Sequence, residues 1–155
     1  MPQWKYSYTA PEEKVAATVK ASLREVSISP KAAVEVCRRI KGMKLEKAKE
    51  YLEDVAALRR SVPFKRYVKG VGHRRDLSKW PSGRYPIKAA KAFLGLIANL
   101  ENNAEFKGLD ISRLKIIHAS AHGGRKLEKY IPRAFGRSNP FLDNLIHVEL
   151  VAEEV

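Results

Sequence analysis

Two strand-like segments near the C-terminus bracket a basic stretch that cannot pack a core, and this arrangement constrains the chain more than any other feature. Leu114 to Ala121 is rich in Ile, Leu and Ala, while Ile146, Val148 and Leu150 alternate with His147, Glu149 and Val151. That alternation is the period of two of a strand with one buried face, and the natural pairing of the two segments is antiparallel. Between them, Gly123 to Asn144 is poor in buried-type residues, yet too short of acids, Ser and Gln for ordinary disorder. From Lys115 to Arg137, six cations (Lys115, Arg125, Lys126, Lys129, Arg133, Arg137) stand against one anion, Glu128. An isolated two-stranded ribbon is marginal in water, and like charges push it further apart, so order here is expected only where a polyanion neutralises it. Tyr130, Phe135 and Phe141 supply flat faces, and Gly123, Gly124, Gly136 and Pro140 allow turns and close backbone approach. Taken alone, the segment fits a solvated surface loop as well as a nucleic-acid contact.

Where the charge lies weighs on that choice. The chain of 155 residues carries a net +13, a statement about partners rather than fold. Residues 59–91 hold eleven cations and one anion, and 115–137 hold a further net +5, so two stretches lying largely outside the expected helices contain more than the whole excess. Charge gathered in irregular segments that also carry Gly and aromatic residues suits phosphate contact. Arg60 to Tyr85, RSVPFKRYVKGVGHRRDLSKWPSGRY, has no helical or strand periodicity, and it interleaves Phe64, Tyr67, Trp80 and Tyr85 with cations. That pairing neutralises phosphates and stacks on bases or sugars. A structureless loop of this length in a compact domain is expected to be ordered by a partner.

The remainder reads as scaffold. Met1 to Glu13 is an extended arm in which Trp4, Tyr6 and Tyr8 alternate with polar residues; a strand follows at Lys20 to Ile28, with Val26 and Ile28 on one face. Ser29 as N-cap and Pro30 at the first helical position start a helix over Lys31 to Lys41, with Ala33, Val36, Cys37 and Ile40 as its buried stripe and Gly42 as its stop. Arg38, Arg39 and Lys41 complement the negative end of its dipole, which explains them without a binding role. A second helix, about Lys44 to Arg59, buries Leu45, Ala48, Leu52 and Val55 and lets Lys49 pair with Glu53. The longest helix runs from Pro86 to about Phe106, with Ile87, Ala90, Leu94, Ile97 and Leu100 inward and Gly108 as its stop.

One cysteine excludes an internal disulfide framework and fits a reducing compartment. The N-terminus has no apolar signal region, and the longest apolar run falls far short of a membrane span, so a soluble cytosolic protein is expected. His118 and His122 lie four apart, a spacing of about 13 Å along a strand, and the glutamate of a His-Glu-x-x-His motif is missing. No nucleophile elbow, phosphate loop or paired apolar-site carboxylates occur. No catalytic residue, metal or cofactor is expected.

The segments LREVSISPKAAVEVCRRIKGMKLEKAKEYLEDV, VPFKRYVKGVGH…W…GRYPIKAAKAFL and YIPRAFGRSNP…HVEL resemble, over nearly the whole chain, the large-subunit ribosomal protein twenty-two family in its archaeal form. The resemblance implies an α+β fold: a three-stranded antiparallel sheet on three helices with a long extended β-hairpin at 114–152, all in one rRNA-binding domain of residues 1–155. It implies no enzymatic activity, a place in the cytoplasmic large ribosomal subunit, and large-subunit rRNA, neighbouring ribosomal proteins and the nascent polypeptide as partners. The family's hairpin-tip signature, Pro-Arg-Ala-x-Gly-Arg, stands at Pro132 to Arg137. Leu127 to Ser138 is then the portion nearest the exit tunnel, with Leu127, Tyr130, Ile131, Pro132, Ala134, Phe135 and Gly136 at the tip and Phe135 where bacterial members commonly carry a cation. The expected rRNA-binding set is Lys65, Arg66, Lys69, His73, Arg74, Arg75, Lys79, Trp80 and Arg84 from the insertion, with Arg125, Lys126, Lys129, Arg133 and Arg137 from the hairpin. The insertion at Val62 to Tyr85 resembles archaeal and eukaryotic members, and an end at Val155 without a long basic tail points to an archaeon. A free-standing chromatin-type nucleic-acid-binding protein is the alternative that the charge alone also allows; a small RNA-modifying or metal-dependent hydrolase is a distant third.

Overall fold

The computed structural model describes residues 5–155, which leaves Trp4 of the expected arm outside the described residues. Strand β1 (Thr18–Val26), helices α1 (Pro30–Ile40) and α2 (Leu45–Ala56), short strands β2 (Val62–Pro63) and β3 (Gly83–Arg84), helix α3 (Ile87–Lys107), and long strands β4 (Leu114–Pro132) and β5 (Ser138–Glu154) follow in order, with 3-10 turns at Glu12–Lys14 and Ile111–Arg113. β1, β5 and β4 form an antiparallel sheet in that order, and β2 pairs with β3 separately. The fold is the expected α+β arrangement of three helices, a three-stranded sheet and a long hairpin.

One apolar cluster joins the helices to the sheet. Val19 and Ala21 of β1, Leu114 and Ile116 of β4, and Ile146, Val148, Leu150 and Ala152 of β5 face the buried stripes of all three helices. The α1 stripe is the expected one, and burial pushes its Cys37 thiol up to about 12, so this sulfur is an inert core group. Ser29 occupies the N-cap position of α1, but its side chain makes no capping bond. α2 ends at Ala56, short of the expected Arg59, because Leu58 turns to φ 63. Its Lys49 bonds Glu101 of α3 at 2.9 Å rather than Glu53, which converts an expected surface pair into an interhelical tie. On α3 the inward face is rotated from the expected one. Phe93, Leu96 and Ala104 are buried beside Ala90, Ile97 and Leu100, whereas Ile87 and Leu94 lie half-buried at the margin. β1 starts two residues earlier than expected and ends at Val26 after an irregularity that puts Glu25 at φ 52, so Ile28 reaches the core from the turn beyond the strand.

The outer face of β5 is covered too, against the expectation of one buried face. Glu149 and Val151 are buried. Ser7 donates to Glu149 Oε2 from its backbone N–H at 3.0 Å and its hydroxyl at 2.6 Å, and the Tyr8 ring stacks on His118 at 5.5 Å. His118 and His122 both meet Ser120 Oγ and flank Glu149 at 3.9 and 3.8 Å. Burial raises the Glu149 carboxyl, but the Ser7 bonds and the two histidines outweigh it and hold it below its ordinary 4.5. Burial, then Lys41, depresses His118 below its ordinary 6.5 against the pull of Glu149. Both groups bind protons less readily folded than unfolded, so the stability they contribute is present above their ordinary values and lost on acidification. The Ser7 amide should therefore lose hydrogen-exchange protection in two stages, below pH 6.5 and again below pH 4.5; protection that stays flat from pH 7 to 4 would contradict this.

Residues 60–85 are not structureless. Phe64 N–H donates to Ser82, Arg74 N–H to Pro81 and Gly83 N–H to Gly72, His73 bridges Ser82, and Val62 and Phe64 enter the core. Asp76, the segment's one acid, is spent on the Ser61 N–H and hydroxyl at 2.6 and 2.9 Å. The apolar anchors are too sparse to make a period, which is why the segment looked unstructured. Gly83 is the tightest point: a Cβ there would lie 2.6 Å from Leu77 Cδ1 and 2.9 Å from the Val62 carbonyl oxygen. Gly83→Ala should cost about 1–3 kcal/mol and loosen β2 and β3 first; a melting curve that matches wild type would contradict it.

Candidate nucleic-acid interface

The hairpin is paired from the sheet to its tip, with the register shifting at Ile116/His118 and at Gly123/Lys126. Beyond an irregularity between Gly123 and Lys126, Cα partners run without a break from Lys126 and Asn144 to Pro132 and Ser138. The expectation that Gly123 to Asn144 lacks order of its own is thereby corrected: the backbone ladder supplies it, although the ribbon beyond the sheet has no core. At about 3.3 Å per residue, Gly123 to Pro132 extends the ribbon by roughly 30 Å. Side chains alternate between its faces. Leu127, Lys129, Ile131, Asn139, Phe141 and Asp143 share one face, and Lys126, Glu128, Tyr130, Pro140, Leu142 and Asn144 share the other. Each face mixes apolar and charged groups, so neither can be a folding face, and every residue from Arg125 to Leu142 is exposed. At the root, Gly124 lies close against β5: a Cβ there would lie 2.9 Å from His147 Nε2 and 3.1 Å from the Leu145 carbonyl oxygen.

The tip is a two-residue turn set within five residues. Arg133 N–H donates to Arg137 O at 2.8 Å and Arg137 N–H to Ala134 O at 3.4 Å. Phe135 and Gly136 at its centre take φ 59 and 66, the left-handed pair of a type I′ turn. Phenylalanine in that conformation is strained, and the residue is 96% exposed. A strained and fully exposed Phe contributes nothing to the fold. Among the described residues, the only ion pair on the ribbon is Lys129 with Asp143 at 3.8 Å, which leaves Arg125, Lys126, Arg133 and Arg137 for an external anion.

All nine residues expected from the insertion are exposed; Arg66 lies over the Tyr67 ring, His73 bridges Ser82 through its backbone, and the other seven divide into two groups. Arg74 donates to Gly83 O at 3.1 Å and lies over Tyr85; Arg84 donates to Gly70 O at 3.0 Å and lies over Phe64; the Trp80 indole N–H donates to Phe64 O at 2.9 Å. These three brace the loop while keeping a charged or aromatic face outward. Lys65, Lys69, Arg75 and Lys79 enter no ion pair among the described residues and stand in solvent.

The structure also gathers cations that sequence spacing did not. Arg39, Lys44, Lys47, Arg60, Arg113 and Lys115 surround a recess of about 550 Å³, with Tyr51 in its wall and Glu50 as an opposing carboxylate. The Tyr51 ring carries Arg39 at 5.2 Å and Arg60 at 5.3 Å, so Arg39 does more than complement a helix dipole. Lys44, at the N-cap of α2, and Lys47 are three apart at the start of that helix and could have been linked; Arg39, Arg113 and Lys115 join them only through the fold, in which an isolated bridge sets Lys115 of β4 beside Lys44.

The family model described as ribosomal protein L22p/L17e matches residues 21–153. The large ribosomal subunit protein uL22 of Thermofilum pendens is 54% identical over 155 residues, covering 100% of this chain and 99% of its own length. That of Archaeoglobus fulgidus is 52% identical over 153 residues, with 99% of each chain covered. The Methanocaldococcus jannaschii protein is 45% identical over 154 residues, covering 99% of this chain and 97% of its own.

Proposed function

The chain belongs to the ribosomal protein L22p/L17e family, and we propose that it is a non-enzymatic structural protein of the large ribosomal subunit, one rRNA-binding domain whose hairpin reaches the wall of the nascent-peptide exit tunnel. The observation that carries this reading is the ribbon itself: a ladder paired to its end, exposed on both faces, with four unpaired cations and a strained, outward Phe135. Such a ribbon is spent on reach, and its charge fits passage between phosphates. The insertion and the six-cation recess hold further rRNA at the body, neighbouring ribosomal proteins pack around it, and the tip residues Leu127 to Gly136 meet the nascent polypeptide. No helix of the described residues is long and apolar enough to cross a membrane.

The chain should co-sediment stoichiometrically with large subunits through a high-salt wash. Recovery in the wash, together with equal affinity for duplex DNA, would indicate a free-standing nucleic-acid binder instead.

Tip function is separable from fold. Deleting Glu128 to Tyr130 alone would slip the register by three and exchange the two faces, so the matching partners Pro140 to Leu142 must be removed as well. That balanced deletion, like Phe135→Ala, removes no buried surface and should leave stability within about 0.5 kcal/mol. Subunits should still form, with altered protection of tunnel nucleotides by tunnel-binding ligands; unchanged protection would contradict the placement of the tip.

A further inference from the structure

We propose that the recess between α1 and the insertion holds the base of a single unpaired nucleotide of large-subunit RNA, stacked on Tyr67. This rests on the rRNA-binding reading and assigns it one specific pocket. The recess encloses about 570 Å³, within the roughly 300–1,000 Å³ of small-ligand sites. Its walls include Phe64, Tyr67, Tyr85 and Pro86, and its rim carries Lys31, Arg66, Lys69 and Arg84, with no carboxylate among the lining residues. Lys31 and Arg66 stand 5.8 and 5.6 Å from the Tyr67 ring centre. Flat apolar walls under a wholly cationic rim fit a ligand with a planar body and an anionic edge, which is a nucleotide. Unstacked bases splayed from RNA are read by this combination of aromatic faces and guanidinium planes, and a recess of this size admits one base but no duplex.

The wall is also preorganised. Glu35 is 1% exposed on α1, and its Oε1 accepts the backbone N–H of Arg66 at 2.7 Å and of Tyr67 at 3.2 Å. Its Oε2 has no hydrogen-bond partner in the described structure and only Arg38 as a charge neighbour at 3.7 Å. A buried carboxylate is costly unless hydrogen-bonded, and here its bonds fix the two residues that form the aromatic and cationic parts of the pocket. Glu35 is therefore a positioning residue. The first turn of α1, at the pocket's edge, has no side-chain cap and no acid, which adds a mild preference for an anion.

The test is short-wavelength crosslinking of large subunits containing the full chain, followed by mass spectrometry, alongside binding of the purified chain to large-subunit rRNA. A nucleotide adduct is expected on Tyr67 or Tyr85. Tyr67→Ala should weaken rRNA binding about fivefold to hundredfold with the salt slope unchanged, since stacking is a short-range term, and Tyr67→Phe should restore it. Lys31→Ala, an exposed change that leaves the core untouched, should lower the slope by about 0.7–0.9 and guards against a Tyr67 variant that misfolds. Adducts confined to 125–137, or a Tyr67→Ala chain that melts as wild type and binds rRNA within twofold of it, would overturn the pocket while leaving the rRNA-binding reading intact. An adduct to a neighbouring protein would overturn it as well. Failure of the wild-type chain to bind rRNA at all would instead remove the underlying reading.

Discussion

Replacing both Arg133 and Arg137 by glutamate is expected to produce a chain that folds normally and fails to enter large subunits efficiently. Both side chains are exposed and neither enters an ion pair among the described residues; only their backbones close the turn, through the 2.8 Å bond from Arg133 N–H to Arg137 O. Reversal therefore leaves the ladder unchanged, and thermal stability should stay within about 0.5 kcal/mol of wild type. Binding is another matter, because two phosphate contacts are lost and two like charges are pressed toward the backbone. The log–log salt slope for rRNA should fall by about 1.4–1.8, from roughly 0.7–0.9 per contact. Each single reversal should show about half that change. Wild-type incorporation of the double variant would mean that the tip does not lie against RNA.

The largest stability effect belongs to the opposite end of the molecule. Phe93 is fully buried where α3 meets the rest of the apolar cluster, and Phe93→Ala should cost about 3–5 kcal/mol by lost transfer energy plus the cavity left behind. Against a typical total of about 5–15 kcal/mol, that is enough to populate unfolded chain at elevated temperature. Phe106, 94% exposed on the same helix, and Phe135, 96% exposed at the tip, should tolerate Ala within about 0.5 kcal/mol. Urea midpoints of the three variants measure the contrast directly. A loss below about 1 kcal/mol for Phe93→Ala would mean that the cluster is not packed as described.

These contrasts mark what was legible in the sequence. The α1 stripe, the stop glycines at 42 and 108, and the paired strand ends follow from local rules, because each is set by backbone preference or by a clean period. Phe93 and Leu96 were missed because the apolar residues of α3 run nearly around the helix, and only the partners decide which of them face inward. Glu149 looked like a solvent-facing strand residue; nothing in its neighbourhood announces that Ser7, 142 residues away in sequence, donates to it. The basic segments were found by charge, but their internal order was not. The hairpin ladder needs no apolar period, and the insertion is held by scattered bonds such as Trp80 to Phe64 and Ser61 to Asp76. The six-cation recess could not have been found at all without the topology that joins α1, α2 and β4.

Placement of the hairpin tip is tested most directly by tethered cleavage from position 135. Cys37 is buried with its thiol pushed up to about 12, so a Phe135→Cys chain offers one reactive sulfur for an iron chelate. Assembled into large subunits and activated, the label should cut rRNA at nucleotides lining the exit tunnel, in a pattern distinct from that of a label placed at exposed Phe106. Cleavage confined to nucleotides on the solvent surface, or the same pattern from both positions, would contradict a hairpin that reaches the tunnel wall.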